Sequence, residues 1–180
     1  MLASLSDVNA RTRLANAMTV VFLGLGSNIE PEVNLRLAIA ELRRRFGEVE
    51  TSPVYSSAAH GFDGPEFLNL VAKIQTVVAP AALHSELEEI HAMAGRQRGC
   101  DKYFSRRLDI DLLLYGQECI DKPPLRVPRK DILEYSFVLK PLADIAPDYR
   151  HPGTGKTMAQ HWCEFDSCRH PVKQCNLVLE

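Results

Sequence analysis

Residues 48–78 read EVETSPVYSSAAHGFDGPEFLNLVAKIQTVV. Glu48 to Ser56 is expected to form a strand, and residues 57–66, SAAHGFDGPE, a loop punctuated by Gly and Pro. Phe67 to Val78 alternates well enough for the next strand. Two strands in succession therefore stand between two helical patterns. Upstream, Thr19 to Leu25 (TVVFLGL) is an apolar, β-branched run that reads as a buried strand, ended by Gly26-Ser27-Asn28. Pro31 opens a helix with an apolar stripe of Leu35, Leu37, Ala38, Leu42 and Phe46. Arg43, Arg44 and Arg45 fall in its last turn, where positive charge complements the helix dipole, and Gly47 stops it. Downstream, Pro80 starts a second helix through about Ala94, with Leu83, Leu87 and Ile90 inward and Gly95 at its end. A basic loop, 96–107, precedes a fourth strand from Leu108 to Tyr115. The order β-α-β-β-α-β predicts an α+β, ferredoxin-like fold, an antiparallel sheet with helices packed on one face. Residues 117–136 read as loop and short strand, and Phe137 to Ile145 as a third helix.

The chain has 180 residues, with 21 Lys and Arg against 23 Asp and Glu, a net charge of −2, and is 46% hydrophobic and 24% charged. That balance excludes a disordered tail and suits one domain. No apolar run approaches the ~18 residues of a membrane span. A charge near zero argues against a general nucleic-acid binder. The five cysteines, Cys100, Cys119, Cys163, Cys168 and Cys175, are odd in number, irregular in spacing and without a C-x-x-C pair. A reduced, cytoplasmic setting follows. The first 17 residues, MLASLSDVNARTRLANA, lack a continuous apolar signal core, and Met18 directly precedes the first strand. Residues 1–17 are thus expected to be a dispensable extension, 18–160 the folded domain and 161–180 an irregular tail.

The densest charge pattern is RQRGCDKYFSRRLDID at 96–111. Arg96, Arg98, Lys102, Arg106 and Arg107 against Asp101 give the twelve-residue loop a net +4 in a chain that is slightly acidic. Asp109 and Asp111 follow, two apart on a predicted strand, so alternation puts both carboxylates on one face. Held close among apolar neighbours they repel, and either share a proton or bind cations. Oxygen donors without His or Cys favour Mg²⁺, and arginine forks suit phosphate. Acid pair plus arginines is a pattern for a metal–nucleoside triphosphate site. The segment HPGTGKT at 151–157 imitates a P-loop, but Arg150 stands where that motif needs glycine and no strand precedes it. His161, Cys163, Cys168, His170 and Cys175 match no zinc-ligand spacing and read as loosely placed tail residues. His60 and His84 read as surface residues.

FLGLGSN at 22–28, PEFLN at 65–69, GRQR at 95–98 and SRRLDIDLLLYG at 105–116 together resemble the 6-hydroxymethyl-7,8-dihydropterin pyrophosphokinases of folate biosynthesis. VP at 127–128, FVLKPLADIAP at 137–147 and HPGTG at 151–155 follow in the family's order, so the resemblance covers roughly 18–155. It implies pyrophosphoryl transfer from ATP to the hydroxymethyl group of a reduced pterin, releasing AMP. By similarity, Asp109 and Asp111 hold two Mg²⁺ ions against the ATP phosphates. Arg96 and Arg106 match the catalytic-loop arginines that clamp phosphate, and Arg98 contacts the nucleotide. Arg129 and Lys130, after the VP, fall to the nucleotide as well. Asn69 reads the pterin's hydrogen-bonding edge, Phe67 and Phe137 sandwich its ring, and main-chain groups near Ala58 complete the pocket. The implied partners are ATP and a reduced pterin, with no nucleic acid and no membrane, and the chain is expected to be a monomer. Several positions depart from the family. Tyr103-Phe104-Ser105 precede Arg106 where Trp and Gly-Pro are usual. Ser56-Ser57-Ala58 replace Arg-Thr-Pro, His91 replaces a Glu, Arg129 a His and Tyr135 an Arg. These departures admit an alternative, a divergent paralogue that binds pterin or nucleotide without turnover or acts on a related pterin.

Overall fold

The computed structural model describes residues 18–95 and 105–179. The expected extension, 1–17, and Arg96 and Arg98 in the basic loop lie outside the described residues. The chain runs β1 (Thr19–Ser27), α1 (Pro31–Phe46), β2 (Glu50–Thr51), β3 (Val54–Ser57), β4 (Phe67–Thr76), α2 (Pro80–Met93) and β5 (Asp109–Tyr115). The predicted order is present, with the expected 48–56 strand divided in two. Pro53 brings no N–H to the ladder, and the pairing with β4 is one residue out of step across Ser52-Pro53. Ser52 bridges the break: its N–H donates to the Val71 carbonyl at 2.9 Å, and its Oγ accepts from the Val71 N–H at 2.9 Å.

The main sheet has the order β5-β1-β4-β3 and then a last strand, β8 (Val172–Cys175), with β2 also on β4, and every pairing is antiparallel. The last strand corrects the expectation of an irregular tail. β8 pairs with β3, Val54 opposite Cys175 and Ser57 opposite Val172. Four residues, VKQC, are too short for a period to show, and it is the open edge of β3 that gives them a partner. Residues 117–136 form a hairpin, β6 (Ile120–Lys122) with β7 (Leu125–Val127), and one helical turn, α3 (Asp131–Glu134). α4 (Ser136–Ile145) is the expected third helix, and α5 (Met158–Glu164) follows. HPGTGKT is a turn closed by an Arg150–Thr157 bridge. Its Thr157 caps α5 by accepting from the Gln160 N–H, so the segment is a helix start and not a phosphate cradle.

The sheet carries a core on each face. On the first, Val21, Leu23 and Leu25 of β1 and Leu70, Ala72 and Ile74 of β4 meet Leu35, Ile39 and Leu42 of α1 and Leu83, Leu87 and Ile90 of α2. These are the two helices predicted to share a face. Arg45 ties them by pairing with Glu86 and, at 2.9 Å, with Glu89. On the second face Phe22, Val71, Leu113 and Leu114 meet Ile132, Leu139, Leu142 and Met158 from α3, α4 and α5. A register shift between Phe22 and Leu23 marks a bulge in β5, and it turns both Leu113 and Leu114 to this face. The C-terminal helices thus cover only part of the second face. The remainder is where the polar residues gather.

Candidate active site

The floor of the site is built by strand alternation. On β5, Asp109 and Asp111 point to the second face, opposite Gly26 and Gly24 of β1. Directly paired residues on one face bring their Cβ atoms to about 5 Å, so two glycines here leave open space beside both carboxylates. One strand further, Gly26 pairs with Asn69 of β4. A Cβ on Gly26 would lie 3.2 Å from Asn69 Oδ1, so the absence of a side chain lets that amide approach. Above this floor is a cavity of about 420 Å³. Its walls are Ala58, Phe62 and Phe67 on one side, Arg106 at the end of the basic loop, and Arg129, Lys130, Asp131, Tyr135 and Phe137 on the other.

The entry to β5 is tied to the exit of β1. The Asn28 and Ile29 N–H groups donate to the Arg106 carbonyl at 3.0 and 3.3 Å, and Asn28 Oδ1 accepts from the Arg106 N–H at 2.6 Å. Ser27 Oγ donates to the Arg107 carbonyl, and Asn28 Nδ2 meets Ser105 Oγ at 3.3 Å. The G-S-N turn therefore holds the stem of the basic loop. Midway between the two acids, the Ile110 N–H, on the outer edge of β5, donates to Nε2 of buried His91 at 2.7 Å. His91 Nδ1 stands 3.1 Å from Glu88 Oε1, so the ring is a pin between α2 and the strand.

Each acid has an arginine. Arg106 Nη1 is 3.1 Å from Asp109 Oδ2. Arg129 Nη2 is 3.1 Å from Asp111 Oδ2 and 2.7 Å from Asp131 Oδ2, and its Nε donates to Asp131 at 2.9 Å. Burial, reinforced by the neighbouring Asp109 charge, nonetheless pushes the Asp111 carboxyl up to about 7. Burial also opposes the Arg129 charge, yet Asp111 and Asp131 beside it raise its pKa above the usual guanidinium value. The donors on the floor of the cavity are two carboxylates crowded on one strand, and no sulfur lines it. That set fits a hard divalent cation such as Mg²⁺, whose charge would relieve the crowding.

The structure brings Asp109, Asp111, Arg106, Asn69, Phe67, Phe137, Ala58, Arg129 and Lys130 to one cavity, nine of the eleven predicted site residues. Arg96 and Arg98 fall outside the described residues. Asn69 Nδ2 donates to Ser57 Oγ at 3.0 Å. Phe137 stacks on Tyr135, centroids 5.0 Å apart and 17° between planes, and Phe67 meets Phe62 edge-on at 6.2 Å. Lys130 is largely exposed, 3.6 Å from Glu134. His60, read as a surface residue, is exposed but lines the cavity and meets Tyr135 edge-on at 5.0 Å. Asp131 and Phe62 also escaped sequence reasoning, and Tyr135 stood out there only as a departure from the family's Arg. Of the first two only Asp131 carried a signal, as the acid directly after Arg129-Lys130.

The pattern that defines the 7,8-dihydro-6-hydroxymethylpterin-pyrophosphokinase (HPPK) family matches residues 22–147. The 2-amino-4-hydroxy-6-hydroxymethyldihydropteridine pyrophosphokinase of Pseudomonas aeruginosa is 40% identical over 136 residues, covering 73% of this chain and 83% of the relative. The enzyme of the same name from Synechocystis is 40% identical over 141 residues, 77% of this chain and 72% of its own. A folic acid synthesis protein of Pneumocystis carinii is 38% identical over 145 residues. Those are 79% of this chain but only 20% of that protein. Among solved structures, the wild-type HPPK-DHPS of Plasmodium falciparum superimposes with a TM-score of 0.68 at 14% identity. It covers 83% of this chain and 45% of the other, a likeness of fold. With the acid pair, the glycine-lined floor and Asn69 standing inside the matched span, the chain belongs to the 7,8-dihydro-6-hydroxymethylpterin-pyrophosphokinase family.

Proposed function

We propose that this chain transfers the pyrophosphoryl group of ATP to the hydroxymethyl oxygen of 6-hydroxymethyl-7,8-dihydropterin, in the cytoplasm. The bond from the β-phosphorus to its bridge with the α-phosphate breaks, a bond from the pterin oxygen to that phosphorus forms, the hydroxyl proton is lost, and AMP leaves. The observation that carries this reading is one cavity lined both by a carboxylate pair with arginines and by a buried amide with phenylalanines, only Gly26 standing between Asp109 and Asn69 across the strands. Asn69 commits its Nδ2 to Ser57, so its Oδ1 faces the cavity ready to accept from the amino edge of a pterin. Phe67 and Phe137 cover the flat ring, which needs apolar area and few polar contacts. Main-chain groups at Ala58 close the same pocket.

Asp109 and Asp111 would hold two Mg²⁺ ions, which when bound offset phosphate charge and favour ionisation of the attacking alcohol. Arg106 and Arg129 then face a triphosphate with planar forks suited to it, and Arg96 and Arg98 add to that clamp by family resemblance. The test is AMP formation from ATP, millimolar Mg²⁺ and the hydroxymethyl-dihydropterin. Stoichiometric AMP and pterin diphosphate are expected. A folded chain that binds the pterin but forms no AMP instead indicates the paralogue without turnover.

A further inference from the structure

Residues 148–179 lie beyond the matched family span, yet they return to the cavity wall. The segment is anchored on both sides of His170. Before it, Met158 is buried and Trp162 and Phe165 are partly buried against the second core. After it, β8 pairs with β3, and Leu179 is buried in the first core. Between the anchors the His170 carbonyl accepts from the Ser136 hydroxyl at the first residue of α4. The His170 ring lies 5.4 Å from Tyr135, tilted by 58°, and 5.2 Å from His60, edge-on at 81°. His60 itself is edge-on to Tyr135, whose face stacks on Phe137. His60, Tyr135 and Phe137 all line the cavity, and His170 stands behind them.

From this juxtaposition we infer that His170 is a positioning residue for the pterin: the C-terminal strap holds Tyr135 against Phe137 and so shapes the aromatic wall on which the pterin ring rests. The inference rests on the proposed pterin site. Tyr135 sits at the extended residue before α4, φ −127° and ψ 129°, so α4's own hydrogen bonds do not fix its side chain. An edge contact from His60 and a tilted one from His170 restrict it. An aromatic wall already in place binds a flat ligand without the cost of ordering it. Contacts of this kind act on the ring-binding step and leave the phosphate side alone.

The experiment measures pterin and ATP binding by calorimetry and the kinetic constants for His170→Ala and His170→Phe beside the unaltered chain. His170→Ala is expected to raise the pterin Kd and KM about three- to tenfold, the scale of one or two lost aromatic contacts, with ATP KM and kcat unchanged. His170→Phe, which keeps an aromatic edge, is expected to restore most of the pterin affinity. If His170→Ala binds pterin as tightly as the unaltered chain, or if ATP KM and kcat worsen in parallel, the positioning role is refuted while the function stands. If His170→Phe is as poor as His170→Ala, the role of the ring is refuted too. An unaltered chain with no pterin affinity overturns the proposed function and this inference together.

Discussion

At the scale of single residues, the proposed chemistry rests on Asp111 and its company. Its carboxyl is raised by burial and by Asp109, and Arg129 alone contacts it as a described salt-bridge partner. Asp111→Ala removes half of a repelling pair, so the melting temperature is expected to stay level or rise, while kcat falls by about 10³-fold or more. Calorimetry and AMP assay on the same sample read both. Arg129 acts in the opposite sense. It reaches back eighteen residues to Asp111 while holding Asp131 beside it, a link that the linear chain cannot display. Arg129→Gln leaves those two acids facing each other. The expected cost is about 1 kcal/mol in Mg²⁺-free buffer, since the group is over a third exposed, with part of it recovered on adding Mg²⁺. Thermal melts with and without Mg²⁺ decide it, and a variant indifferent to the ion would remove Arg129 from the metal-binding face.

At the scale of elements, the site depends on β1 carrying glycine at two alternate positions. Gly26→Ala forces its Cβ to within 3.2 Å of Asn69 Oδ1, closer than such contacts normally come. The amide has to give by a few tenths of an ångström against its Ser57 bond, so pterin KM is expected to rise several-fold with ATP KM nearly unchanged. Equal losses for both substrates would place the strain elsewhere. A second element, the turn at 151–157, governs acid stability. His151 is buried, its Nδ1 accepts from the Gly153 N–H at 3.1 Å, and the His161 ring lies 5.7 Å away. Burial, and then the His161 charge, lower the His151 pKa from its ordinary 6.5. The unfolded chain therefore takes up a proton that the folded chain resists, and stability drops as the pH falls below about 6.5. His151→Gln keeps an acceptor for Gly153 without a titratable ring. Its melting temperature is expected to fall less than that of the unaltered chain between pH 7 and pH 5.

For the molecule as a whole, the readable part of the sequence was the part with a long period. β1, α1, β4, α2 and β5 each run seven residues or more, and their alternation or helical stripe shows which face is buried. The acid pair was legible for the same reason, being two positions on one long strand. What escaped were contacts made by short segments whose partners lie far along the chain: the break at Ser52-Pro53, the Arg129 bridge, the His91 pin and above all β8. Four residues of no marked pattern become a strand only because β3 presents an open edge, and that edge exists only after folding. The strap is thus read as an irregular tail in sequence but is built into the sheet in space. Ending the chain after Pro171 tests which view describes its energetics. The cut unpairs the outer edge of β3 and removes buried Leu179 together with Leu177 and Cys175, which pack on the first core. Burial of one such leucine contributes about 2 kcal/mol, or several degrees of melting temperature at this chain length. The shortened chain is therefore expected to melt at least about 5 °C lower and, with β3 now a bare edge beside the proposed pterin wall, to self-associate in gel filtration. A truncated protein that melts with the full chain and elutes unchanged would show that the sheet is complete without its last strand.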